Sequence, residues 1–104
     1  MYNSAQSSTY HADGRNFSIC YADDGVCALG FYSQDVVLIG GMIVKNQTIA
    51  QATQFPGNVY DGVLGMAFNS ASTGNAGSGD PTVFQNLISQ HQLENNVFSF
   101  YLNR

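Results

Sequence analysis

Apolar and polar residues alternate with a period of two over most of the chain, which predicts strands rather than helices. Phe17-Ser18-Ile19-Cys20-Tyr21 sets large apolar side chains against small ones. Ala22-Asp23-Asp24-Gly25 then supplies turn chemistry before Val26-Cys27-Ala28-Leu29 resumes the pattern, so a first β-hairpin is expected here. Val36-Val37-Leu38-Ile39 and Met42-Ile43-Val44 flank Gly40-Gly41, and paired glycines supply the positive φ angles of a tight hairpin turn. Thr48-Ile49-Ala50 and Val63-Leu64-Gly65-Met66-Ala67 read as further short strands on either side of the turn-rich Gln54-Phe55-Pro56-Gly57-Asn58. Residues 69–79 carry no apolar anchor and predict a mobile surface loop. A helix is expected near 81–91, with Asp80 as its cap, Pro81 in its first position, and Val83, Phe84, Leu87 and Ile88 as its apolar stripe. Val97-Phe98-Ser99-Phe100-Tyr101-Leu102 predicts a closing strand, apolar on both faces and therefore expected to be buried. The fold class is mostly β, a single domain with one useful helix.

If Asp23 and Asp24 are the central turn residues, Tyr21 faces Val26 and Cys20 faces Cys27. Opposed strand positions bring Cβ atoms to about 4.5–5.5 Å, near the roughly 3.5–4.5 Å of a disulfide, so a bridge needs only modest adjustment. A turn shifted by one residue leaves two small thiols on separate faces instead. The two cysteines are the only ones in the chain. Together with the acceptor triplets Asn16-Phe17-Ser18 and Asn46-Gln47-Thr48, they point to a secreted or lumenal protein in which Asn16 and Asn46 are glycosylation candidates.

The 104 residues are 44% hydrophobic and 10% charged, too apolar for disorder and enough for one small core. A net charge of −4 provides no basic surface for phosphates or anionic lipid, and no apolar run is long enough for a membrane helix. Neither a nucleic-acid nor a membrane partner is expected. His11 and His91 lie far apart in hydrophilic surroundings, and with two cysteines they do not give zinc-ligand spacing, so no metal or other cofactor is expected. No serine sits in a G-x-S-x-G turn. Gly74-Asn75-Ala76-Gly77-Ser78-Gly79 lacks the lysine of a phosphate loop and reads as a connector.

The remaining pattern carries a resemblance. Ser7-Ser8-Thr9-Tyr10, Phe17-Ser18-Ile19-x-Tyr21, Asp35-Val36-Val37, Ile39-Gly40-Gly41, Asn46-Gln47, Asp61-Gly62-Val63-Leu64-Gly65-Met66-Ala67-Phe68, Val83-Phe84-x-Asn86-Leu87 and Phe98-Ser99-Phe100-Tyr101-Leu102 follow one another along the whole chain. In that order they resemble the N-terminal lobe of pepsin-like aspartic endopeptidases, of the cathepsin D-like or nematode digestive type. The resemblance implies a partial lobe of barrel-like or sandwich-like β structure over residues 1–104. It also implies that the first hairpin is the flap closing over bound peptide. Tyr21 then matches the flap tyrosine, with Ala22, Asp23 and Asp24 at the tip. Tyr60 and Val63 match positions shaping the pocket beside the scissile bond, and Phe55 is a looser pocket candidate. On its residue type alone, Tyr21 reads as a partly buried sheet residue.

Family flaps run Tyr-Gly-x-Gly-Ser, whereas this chain has Tyr21-Ala22-Asp23-Asp24-Gly25 and a slightly longer hairpin before Gly30. The catalytic triplets of the family, Asp-Thr-Gly or Asp-Ser-Gly, do not occur, so no catalytic residue is assigned. The reaction needs two carboxylates close enough to share a proton, so the chain by itself is expected to be inert. An upstream coding sequence is expected to hold an Asp-Thr-Gly triplet. The implied partners are a peptide or protein substrate once the missing segments complete the enzyme, and complementary lobe segments. Self-association through exposed strand edges such as Phe98–Leu102 is expected too. The parent protein is expected to be secreted or lysosomal. A different class remains open: a truncated or engineered lobe fragment, non-enzymatic, acting as a folding or peptide-binding module, as Met1 ahead of a mid-lobe sequence would fit. An unrelated ligand-binding β-sandwich fits the composition but not the Asp61-Gly62 block.

Overall fold

The computed structural model describes residues 2–21, 26–54, 61–71 and 79–104. Three strands, β1 (His11–Tyr21), β2 (Val26–Ile39) and β3 (Met42–Gln54), form one antiparallel sheet in the order β1-β2-β3, and one helix, α1 (Val83–Ser89), lies against β3. Short 3-10 turns occupy Ser4–Gln6 and Asn69–Ala71. The chain is mostly β among the described residues.

Both hairpins follow the turn chemistry of the sequence. β1 and β2 pair as Tyr21↔Val26, Cys20↔Cys27 and Ile19↔Ala28. β2 and β3 meet at Ile39↔Met42 across Gly40 (φ 55°) and Gly41 (φ 79°), the pair of positive angles that a two-residue turn matching the strand twist demands. The Thr48–Ala50 segment is continuous with the second hairpin as part of the long β3. Three bulges bend the ladder. Asp13, Gly14 and Arg15 of β1 face Tyr32 alone; Thr53 is the extra residue opposite Leu29 and Gly30; and Lys45 and Asn46 face Val36. Gly14 (φ 89°) and Asn46 (φ 53°) take the left-handed conformations that such kinks require.

Opposed residues share a face, so Phe17, Ile19, Ala28 and Tyr32 gather on one side of the sheet. The Phe17 and Tyr32 rings meet edge to face with centroids 5.5 Å apart. Gly30, paired with Phe17, sits where β3 passes very close: a Cβ there would fall 1.9 Å from the Gln51 carbonyl oxygen. Val44 is fully buried on β3, and Leu87 is the buried residue of α1.

Three expected elements are corrected. The helix is shorter than 81–91, and its N-cap is Thr82, whose Oγ1 accepts the Gln85 N–H at 3.2 Å. Asp80 does not cap because its carboxylate is engaged by Arg15 of β1, and Pro81 precedes the cap. The helix ends in a Schellman motif, with His91 (φ 56°) in the left-handed position. The His91 and Gln92 N–H groups donate to the Ile88 and Leu87 carbonyls. Residues 63–67 are not a strand, nor are 97–102, because no described strand pairs with either. Apolar alternation reports a face that wants cover, not a partner for the backbone. The terminal segment is also not buried: Tyr101 is 91% and Leu102 86% exposed. It carries a row of edge-to-face rings, Phe84–Phe98 at 4.9 Å and Phe98–Phe100 at 5.8 Å. The expected loop lies mostly at 72–78, outside the described residues.

Candidate functional site

The first hairpin is cross-linked. Cys20 and Cys27 form a disulfide between directly opposed positions, with Cα atoms 4.0 Å apart, as the Asp23-Asp24 turn predicts. Tyr21 is the last residue of β1, next to the bridge, and its backbone pairs with Val26. Ala22, Asp23, Asp24, Phe55 and Tyr60 lie outside the described residues. Val63 is 69% exposed on the extended stretch after Asp61 and borders a cavity of about 310 Å³. Ile49, Ala50, Leu64, Pro81 and Val83 also line this cavity, which is therefore walled mainly by apolar side chains between β3 and the approach to α1. Of the sequence-derived pocket residues, Val63 is the one whose side chain the structure places.

Three polar assemblies fix the elements around this region, and sequence reasoning did not find them. At the first, Arg15 forks onto Asp13 (Nε–Oδ1 2.5 Å, Nη2–Oδ2 2.9 Å) and reaches Asp80 with Nη1 at 3.0 Å, while its guanidinium lies 4.8 Å from the Tyr32 ring centroid. The Gly14 bulge lets Asp13 and Arg15 converge, tying β1 to the segment ahead of α1. The Arg15 hydrogen bonds hold the Asp13 carboxyl below the usual range. Burial pushes the Tyr32 phenol up. One arginine between aspartates was the available signal, but Asp80 is remote in sequence.

At the second, Asp35 is buried on β2 and accepts from the Tyr2 hydroxyl (2.6 Å), the Thr9 hydroxyl and the Val36 N–H (2.7 Å). The Ser7, Thr9 and Tyr2 hydroxyls hold its carboxyl well below the ordinary carboxylate range, against the cost of burial. The Tyr2 phenol is pushed up to about 12, first by burial and then by the carboxylate beside it. This carboxylate gathers the N-terminal segment onto the sheet.

At the third, buried Gln47 accepts from Asn86 Nδ2 at 2.9 Å and donates to the Pro81 and Thr48 carbonyls, each at 3.1 Å. Gln90 closes on the Lys45 backbone with both ends of its amide (2.9 and 2.8 Å), and Gln92 accepts the Ile43 N–H at 3.2 Å. These amides occupy outward-facing groups of β3 as a neighbouring strand would.

Chemically, these groups offer no proton-sharing carboxylate pair. Asp13 and Asp80 are committed to a guanidinium, and Asp35 to hydroxyls. His11 and His91 are exposed, as are Asn16 and Asn46.

The family model for eukaryotic aspartyl protease matches residues 1–104, and the chain belongs to that family. It is 43% identical to cathepsin D of Dictyostelium discoideum over 108 aligned residues, which cover 99% of this chain and 27% of that protein. It is 42% identical to cathepsin D of Clupea harengus, covering 99% and 26%. It is also 42% identical to rhizopuspepsin-3 of Rhizopus niveus, again over 99% and 26%. The chain thus spans about a quarter of the length of the curated relatives it matches.

Proposed function

We propose that this chain supplies the substrate-covering part of an acid peptidase that hydrolyses peptide bonds with a water molecule activated between two carboxylates. The β1–β2 hairpin acts as the flap, with Tyr21 packing over the peptide near the scissile bond and Ala22, Asp23 and Asp24 at its tip. Val63 and Tyr60, with Phe55 further out, shape the adjoining pocket. The observation that carries the reading is the family match over residues 1–104, taken together with a hairpin whose register sets Tyr21 opposite Val26. A two-stranded hairpin end is marginally stable alone, so it can swing, and its closure excludes water from polar chemistry.

The carboxylate pair is the part this chain does not carry, because the 104 residues contain neither Asp-Thr-Gly nor Asp-Ser-Gly. The isolated chain is therefore inert and gains a role in hydrolysis only when joined to segments that provide both carboxylates. The compartment is lysosomal, vacuolar or secreted, in keeping with relatives named cathepsin D and probable vacuolar protease A. Asn16 and Asn46 are its glycan acceptors.

The test places Tyr21→Ala and Tyr21→Phe in a peptidase that carries this segment. Loss of the ring lowers kcat/KM for a peptide by about tenfold or more, roughly 1.4 kcal/mol of transition-state stabilisation, with the Phe variant close to the parent. Equal activity of all three proteins contradicts the flap assignment.

A further inference from the structure

The Cys20–Cys27 bridge joins positions that the backbone already holds together. It lies between the ladder pairs Tyr21↔Val26 and Ile19↔Ala28, so its removal leaves pairing on both sides. The loop it closes is short, with a sequence separation of 7, and a short loop gives little chain-entropy stabilisation. Cys20 is exposed and Cys27 half-buried, whereas Phe17, Ala28 and Tyr32 form the packed cluster. The bridge is thus reachable by solutes and is not what holds the sheet to α1. That second task falls to Gln47, Gln90 and the Arg15 ion pairs.

We propose that Cys20–Cys27 is a reversible redox-modification site, a disulfide that exchanges with small thiols of the glutathione or dithiol class and thereby sets the stiffness of the outer end of the hairpin. The thiolate of the small thiol attacks Sγ of Cys20, which belongs to the more exposed residue. The S–S bond breaks, its electron pair leaves on Sγ of Cys27, and that sulfur takes a proton from solvent. A second thiol attacks the mixed disulfide at the sulfur of the small molecule and releases Cys20 as a thiolate, which is protonated in turn. The protein gains two electrons and two protons, and two small thiols become one disulfide. In the oxidised state the strands cannot separate beside Tyr21; in the reduced state only ladder hydrogen bonds restrain them. The consequence for peptide cover rests on the flap reading, whereas the exchange itself does not.

The test uses the full chain without denaturant, at about pH 8, close to the ordinary thiol pKa. Reduced glutathione or dithiothreitol is added, aliquots are quenched with iodoacetamide, and intact mass counts the labelled cysteines while amide hydrogen exchange is followed in both redox states. Both cysteines become labelled within about an hour, and oxidised glutathione restores the bridge. Reduction speeds amide exchange by about tenfold in residues 17–21 and 26–29 and leaves β3 and α1 unchanged. The Cys20→Ser/Cys27→Ser double variant reproduces the reduced pattern. The proposal is overturned if labelling requires denaturant, or if reduction or the double substitution speeds exchange through β3 and α1. Neither readout depends on peptidase activity, so a failed flap assignment and a failed exchange are told apart.

Discussion

Gly30→Ala isolates the close approach of β2 and β3. Gly30 does not need a positive φ; it needs room, because its added Cβ would lie 1.9 Å from the Gln51 oxygen, 2.9 Å from the Gln51 carbonyl carbon and 3.0 Å from the Ala52 Cα. All three are backbone atoms, so no side chain can swing aside. Restoring an ordinary carbon–oxygen contact of about 3.3 Å moves the strands apart by more than 1 Å, roughly the range over which a ladder hydrogen bond is lost. About two such bonds at roughly 1 kcal/mol each, together with about 1–3 kcal/mol of overpacking, give a cost near 4 kcal/mol. The reduced freedom of the unfolded chain offsets only about 0.4–1 kcal/mol of that. Against the roughly 5–15 kcal/mol that holds a domain folded, the variant should be severely weakened. Urea unfolding of parent and variant, followed by far-ultraviolet circular dichroism, measures the difference. A change below about 0.5 kcal/mol would refute the register at the Leu29–Gly30 bulge, because such a value is ordinary for a surface substitution.

Leu87→Ala should cost about 2–5 kcal/mol in the same assay, since Leu87 is the buried residue that seats α1; a near-neutral result means that the helix is not docked. Asp35 has a folded pKa below its unfolded value of about 3.9, so its contribution is present above that pH and is lost as pH falls through the folded value. Stability of the parent should therefore fall below about pH 4, and Asp35→Asn should be weaker near neutrality with a flatter acid limb; parallel pH profiles would contradict this. The exposed row from Phe98 to Leu102 should recruit a second chain at high concentration, and Phe98→Ser/Phe100→Ser should reduce the mass seen by light scattering, whereas a concentration-independent monomer for the parent counts against it.

Local chemistry made the hairpins legible. Gly40-Gly41 marks its own turn, and an expected turn centred on Asp23-Asp24 is enough for the period of two to put Cys20 opposite Cys27 without long-range information. The helix cap departs from the local signal for a long-range reason. Asp80 and Thr82 are both good cap residues, and the choice falls to Thr82 because Arg15, far away in the chain, engages Asp80. Gln47 illustrates a second limit: a polar residue in a strand reads as solvent-facing, yet Asn86 and Pro81 satisfy its amide and allow it to be buried. The segments at 63–67 and 97–102 mark a third, since apolar composition records that a side chain suits burial but says nothing of which backbone pairs with it. The residues proposed for the flap and pocket could be named only through family resemblance, because Tyr21 and Val63 look like ordinary strand residues by composition.

If this chain supplies peptide cover but not the catalytic pair, as proposed, a segment exchange will show both halves of that division. The matched quarter of Dictyostelium discoideum cathepsin D is replaced by this chain, and acid hydrolysis of denatured haemoglobin is measured for the chimera and for the isolated 104 residues, with and without pepstatin. The chimera should cleave in a pepstatin-sensitive manner while the isolated chain does not. Pepstatin-sensitive cleavage by the isolated chain, or a folded chimera with intact catalytic carboxylates that neither cleaves nor binds pepstatin, would overturn the proposed division between cover and catalysis.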